Sequence, residues 1–236
     1  MLNIVKKSWE DFFSLKMLIL NIIPILIGVL FWGTLLFYFS EDIFGWLSHL
    51  LPTSWQDLSG HQGFFASIWN VFIKSLLYIL LIFFIIILTL IGNVFISIFY
   101  TPIVIGYLHK KYYRNIELQA FGGIALSLAY FTKSFAYFIL FALILTPLYF
   151  LPFIGIFAAL IPHFFFFKNT MLFDVGSSIF EKPAYDLILS QHKAKNFQIT
   201  ALAYAFSLIP IFNFFATLLQ TIIIARYLLE VKQKTS

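Results

Sequence analysis

The residues best placed for chemistry stand just ahead of the first apolar run, at Ser14-Leu15-Lys16. A serine before a long apolar helix can cap its first turn, and the unpaired backbone N–H groups there attract negative charge. Lys16 adds a full positive charge. The spacing suits an anion, with Ser14 and the adjacent N–H groups as donors; an ordinary capped membrane-helix start with an interfacial lysine fits the same residues. Two more cations lie within apolar sequence. Lys74 and Arg226 each read as a side chain snorkelling to the headgroups, with a place on an ion path as the alternative, and Arg226 also stands one helical turn from Glu230. Asp174 follows a third apolar run, where pairing with Lys168 or capping of the next element is expected.

Other chemistries lack their residues. The chain has no cysteine, which removes disulfides, thiolate metal sites and thiol nucleophiles. Its five histidines are scattered: His49 and His61 share one separator, His109 and His192 adjoin basic clusters, and His163 precedes four phenylalanines. They do not converge as metal ligands must. There is no phosphate-cradling glycine loop and no serine elbow. Neither an enzyme nor a cofactor is expected, and the +5 net charge lies beside apolar segments, as topology signals do, rather than forming a nucleic-acid surface.

The elements that position these residues belong to a membrane. The chain is 61% hydrophobic and 11% charged, too apolar to hide its side chains in a soluble core of this size. Four apolar blocks occur: Met17 to Phe39, Phe64 to Leu108, Phe121 to Phe167 and Thr200 to Leu229. The second contains one charge, Lys74, and would measure roughly 67 Å as a helix, against about 30 Å of hydrocarbon. The first reads as a retained membrane helix rather than a cleaved signal. Between blocks one and two, Ser40 to Gly63 carries acids and no lysine or arginine; the later separators and the tail are basic. The positive-inside rule then places both termini and the later loops in the cytoplasm, and Ser40 to Gly63 outside.

With the second block crossing once, the third and fourth must each begin and end inside. Each is therefore expected to be a helical hairpin, turning at Pro152 and Gly155 in the third and at Pro210 and Asn213 in the fourth. The third block's arms count about 16 and 13 residues from Lys133, roughly 24 and 20 Å, and the arm before Pro210 is about 15 Å. Such short arms predict re-entrant hairpins. Residues 1–16, with Leu2, Val5, Trp9 and Phe12 at helical spacing, predict an amphipathic interfacial helix, or an extension of the first membrane helix. The predicted fold is thus an all-α integral membrane domain over 1–236: interfacial helix 1–16, membrane helix 17–39, outward loop 40–63, long helix 64–108, hairpin 121–167, cytoplasmic basic segment 168–199 and hairpin 200–229. Gly155 and Ala159 are spaced to let helices approach closely.

The turn motifs carry a resemblance. Ile-Phe-Tyr-Thr-Pro at 98–102, Leu-Pro-Phe-Ile-Gly at 151–155 and, most strongly, Leu-Ile-Pro-Ile-Phe-Asn-Phe-Phe-Ala at 208–216 are similar to the CysZ family of bacterial sulfate permeases and its wider etoposide-induced-protein superfamily. Asp174 falls where that family places an aspartate. The resemblance implies an oligomeric inner-membrane protein with two spanning helices and two partly inserted hairpins, passing sulfate toward cysteine biosynthesis. The chain also departs from the family, which carries a glycine and paired arginines near the start of its first membrane helix, where Ser14-Leu15-Lys16-Met17-Leu18 offers one cation. After Pro102, Ile103-Val104 and the basic His109-Lys110-Lys111 replace the family's Phe-Asn and carboxylates. Lys16 is a point charge without the planar fork of arginine.

Two functions follow as expectations. The first is a passive, channel-like permease for sulfate or a related small oxyanion, with the bilayer, the anion and further copies of the chain as partners. The second is a non-transporting protein that organises membrane by binding anionic lipid or a partner through its hairpins, interfacial helix and basic loops.

Overall fold

The structure, a computed structural model, describes residues 2–49, 67–68, 71–72, 75, 100–151, 154–209 and 212–235. Every regular element among them is helical. They comprise α1 (Leu2–Phe12), α2 (Leu15–His49), α3 (100–112), α4 (Ile124–Leu145), α5 (Ile154–Ser177), α6 (Lys182–Gln191), α7 (Lys193–Ala205) and α8 (Asn213–Thr235). Short 3-10 turns follow α4 at Thr146–Phe150 and α7 at Phe206–Leu208. The chain divides into two compact units, Met1–Asn21 with Phe95–Ser236, and Ile22–Val94.

In the first unit, α8 is the core. Its residues from Leu218 to Leu229 are all buried, and α1, α5 and α7 pack around it. A helix apolar on every side requires such enclosure, and in a bilayer its packing comes from close contact rather than from escape from water. The face of α1 that is buried comprises Ile4, Ser8, Asp11 and Phe12, while Leu2 is exposed. The packing face is therefore rotated from the one expected, because it follows the partners of Asp11 as well as the apolar stripe.

Both hairpin turns have the same local cause. Leu151 and Ile209 leave their 3-10 turns in extended conformation, at φ −88°, ψ 124° and φ −87°, ψ 111°. Each precedes a proline, Pro152 or Pro210, whose ring clashes with helical backbone in the preceding residue. Those two prolines, like Lys74, lie outside the described residues. At Gly155 an added Cβ would stand 2.5 Å from the Tyr149 carbonyl oxygen, so only glycine admits that close return of the chain.

The arms are longer than their apolar runs. α4 has 22 residues, roughly 33 Å, because the helix continues through Lys133; α5 has 24 and ends at Ser177, beyond the expected 167. Among the described residues, two stretches are long and apolar enough to cross a membrane, Leu15–Phe39 and Ala125–Tyr149. On α4, Leu140, Leu143 and Ile144 are more than half exposed, a surface suited to lipid.

Helices run across two expected boundaries. The basic segment 168–199 consists of the end of α5 followed by α6 and α7, with Pro183 in the first turn of α6, where a missing N–H costs nothing. In the second unit, α2 continues to His49, so residues 40–49 of the expected outward loop are helical. No proline or glycine pair interrupts Ser40 to Asp42, and the carboxylates there do not end a helix.

Candidate functional site

Where α1 meets α3 and α8, a carboxylate is surrounded by donors. Asp11, fully buried, accepts a hydrogen bond and ion pair from Nη2 of Arg226, itself only 1% exposed. Its other oxygen receives Lys111 Nζ at 2.7 Å, the Tyr112 hydroxyl at 3.0 Å and the Tyr107 hydroxyl at 3.3 Å. Lys111 also donates to the Tyr107 hydroxyl at 3.0 Å. The Arg226 guanidinium lies over the Tyr112 ring at 4.6 Å, while its Nε has no hydrogen-bond partner.

Helical spacing explains the assembly. Tyr107, Lys111 and Tyr112 fall at i, i+4 and i+5 on α3, presenting one polar edge to Asp11. These bonds push the Lys111 ammonium above its ordinary value, the Asp11 bond being the largest cause. Tyr113 beside them is raised by burial and by the charge of Glu230, with Arg226 acting in the opposite sense. Arg226 is thus paired with Asp11 rather than with Glu230: a guanidinium this deeply enclosed takes the carboxylate that α1 supplies.

Lys16 reaches the same cluster. Its ammonium lies over the Tyr107 ring, 5.8 Å from the centroid, within cation–π range. Ser14 lies at the junction of α1 and α2, its N–H bonded to the Asp11 carbonyl at 3.0 Å and its carbonyl accepting from Leu18 N–H at 2.9 Å. The Ser14 hydroxyl, however, caps nothing: Oγ is buried without a partner, as is Oγ of Ser8. The expected side-chain cap is absent because the backbone turn closes through the Asp11 carbonyl instead. Of the other site residues, Gly155 lies in the first turn of α5 and Asn213 begins α8. Lys74 falls outside the described residues.

A second polar node lies elsewhere in this unit. Asp174 accepts from the Thr101 hydroxyl of α3 and, at 3.0 Å, from the Ser127 hydroxyl of α4. The expected partner, Lys168, lies one to two turns away over the Phe165 ring. Burial raises the Asp174 carboxyl above its ordinary value, and the two hydroxyls oppose that shift. Asp174 and Ser127 border a cleft of about 400 Å³ whose wall includes Pro102, Gly106, Gly122 and Gly123. Among the described residues no cluster of three or more potential metal ligands occurs.

Asp11, Lys111 and Tyr107 escaped the sequence reading. The available signal was Arg226: a cation inside an apolar block demands a partner, and Asp11 is one of few acids near a helix that could supply it.

The chain matches the family described as Sulfate transporter CysZ/Etoposide-induced protein 2.4 over residues 4–217, a span that includes Asp11, Lys16, Lys111 and Asp174. No curated protein and no solved structure matches it. With nearly its whole length matched and two apolar helices long enough to cross a bilayer, the protein belongs to the CysZ/etoposide-induced-protein family of membrane transport proteins.

Proposed function

We propose that the protein is a passive, channel-like permease for sulfate or a related small oxyanion, acting as a homo-oligomer in a bacterial inner membrane and serving sulfur assimilation. The carrying observation is the cation surplus around Asp11: its single carboxylate faces Arg226 and Lys111 directly, and Lys16 stands one tyrosine ring away. Lys111 keeps 45% of its side chain exposed, so part of that positive field emerges at the surface. Lys16 attracts the anion on the cytoplasmic side, and Ser14 with the first N–H groups of α2 supplies donors. In this reading the hairpins α4–α5 and α7–α8 enter from the cytoplasmic side without full crossing, their turned backbone buried or facing water, and α1 lies at the interface.

The test is uptake of labelled sulfate into liposomes carrying the purified protein, with empty liposomes, Lys16→Glu and competing selenate, phosphate and chloride in parallel. Saturable uptake, competed by selenate and lost in Lys16→Glu, is expected. Uptake unchanged by the charge reversal would remove Lys16 from the path; none by folded, inserted protein would remove the permease reading.

One observation favours a second reading, a non-transporting, membrane-organising protein. Arg226, the only guanidinium in the cluster, is committed to Asp11, which leaves lysine point charges for any anion. Tight binding to anionic vesicles without conductance for any tested anion would establish that function.

A further inference from the structure

Away from the Asp11 cluster, the start of α7 and the end of α8 enclose a cavity of about 310 Å³. Lys195, Lys234, His192 and Gln198, residues with nitrogen-bearing side chains, line it together with one acid, Glu230. Among the described residues neither Lys195 nor Lys234 has an ion-pair or hydrogen-bond partner, although Glu230 is one turn from Lys234. One lining residue is tied in place. The Tyr227 hydroxyl donates to Asn196 Oδ1 at 2.7 Å, and Asn196 Nδ2 donates to the Ile188 carbonyl at 3.3 Å, joining α6, α7 and α8 through Tyr227. A pocket held this way needs little rearrangement to take a ligand.

Its depth narrows the ligand. His192, Lys195 and Gln198 precede the apolar block that starts at Thr200, and Glu230 and Lys234 follow the end of that block at Leu229. Both walls therefore belong to the band where apolar sequence gives way to charge, the level of lipid phosphates, and Ile4 adds an apolar contact from α1. Basic pockets between helices at this level accept phosphate headgroups. Glu230 adds a requirement: it accepts but cannot donate, so the matching ligand carries a hydroxyl or ammonium beyond its phosphate.

From this placement we infer that the pocket binds a phosphate-bearing ligand, with the phosphate between Lys195 and Lys234 and a hydrogen-bond donor of its alcohol part on Glu230. A phospholipid headgroup of the glycerol or ethanolamine type has that chemistry, as does a free phosphate ester. The site is independent of the oxyanion path.

The experiment follows thermal unfolding of the full chain in detergent by tryptophan fluorescence, with dihexanoyl phosphatidylglycerol, dihexanoyl phosphatidylcholine or inorganic phosphate added. Phosphatidylglycerol should raise the midpoint saturably. Lys195→Ala/Lys234→Ala should weaken that binding about tenfold or more, since it removes two charged donors from one phosphate, while Lys7→Ala/Lys193→Ala, outside the pocket, should not. Phosphatidylcholine, without a donor, should bind several-fold more weakly than phosphatidylglycerol. Saturation by inorganic phosphate, sensitive to the same double variant, would support the site with a free anion as its source. Undiminished phosphatidylglycerol binding by the double variant, absence of any saturable shift, or equal binding of phosphatidylcholine would overturn the inference.

Discussion

The Asp11 carboxylate and the Arg226 guanidinium form a buried ion pair across 215 residues of sequence. It ties the short first helix to the core helix α8. Removing two charges from water costs several kcal/mol per ion, and their attraction offsets this only when the remaining polar atoms are also satisfied. Asp11 meets that condition through Lys111, Tyr112 and Tyr107; Arg226 meets it less fully, with Nε unpaired and the Tyr112 ring against its face. The pair therefore fixes where α1 docks more than it adds net stability.

That asymmetry predicts a non-additive mutant cycle. Asp11→Asn leaves the buried Arg226 charge uncompensated and should cost about 3–5 kcal/mol, and Arg226→Met should cost less, since Asp11 keeps its ion pair with Lys111. The double variant should cost clearly less than the sum of the singles. Lys111→Met, at the exposed edge, should cost about 1 kcal/mol or less. Unfolding titrations in mixed micelles measure all four; strictly additive losses would show that the two residues do not act as a pair.

The helix breaks before Pro152 and Pro210 were legible because their cause is local: a proline forces extended backbone in the residue before it, and Leu151 and Ile209 obey. The positions of the lysines misled where helices ran on through them. Lys133 lies inside α4 and Lys168 inside α5, since lysine is a good helix former and marks the edge of apolar sequence, not the edge of a helix. Asp11 went unseen as a site residue, and Asp174 was singled out without its actual partners, for a different reason. Their donors come from other helices, Tyr107 and Lys111 from α3, Thr101 and Ser127 from α3 and α4, and no spacing within a single segment encodes that convergence.

Asp174 should make stability depend on pH. Burial raises its folded-state pKa above the ordinary carboxylate value of 3.8, so the folded protein binds more protons than the unfolded chain between those two values. Stability must then fall as pH rises through that interval, the reverse of a salt-bridged aspartate. Asp174→Asn should remove this component and melt no lower than the native protein at neutral pH. Melting curves between pH 4 and 8 test the difference; a native protein that gains stability relative to Asp174→Asn across that range would contradict it.

The absence of cysteine makes the proposed topology directly testable, since any introduced thiol is unique. Leu2→Cys, Lys110→Cys and Lys234→Cys should react with a membrane-impermeant maleimide only from the cytoplasmic side, and Tyr149→Cys, at the first hairpin turn, from neither. Reaction of Tyr149→Cys from outside would mean that α4 crosses completely.

Two glycines should respond oppositely to the same methyl group. At Gly155 an added Cβ meets the Tyr149 carbonyl oxygen at 2.5 Å, and backbone this close to a hairpin turn cannot step aside without opening it. Gly155→Ala should therefore destabilise by about 1–3 kcal/mol, the usual cost of overpacking. Gly106, inside α3, has nothing within 4 Å of the corresponding point, so Gly106→Ala should gain up to about 1 kcal/mol from helix propensity. Gly106 also borders the cleft beside Asp174, and its new methyl would narrow that space. Because the proposed path runs beside Lys16, outside this cleft, Gly106→Ala should be more stable and take up sulfate at the native rate; slower uptake with raised stability would place the path in the cleft.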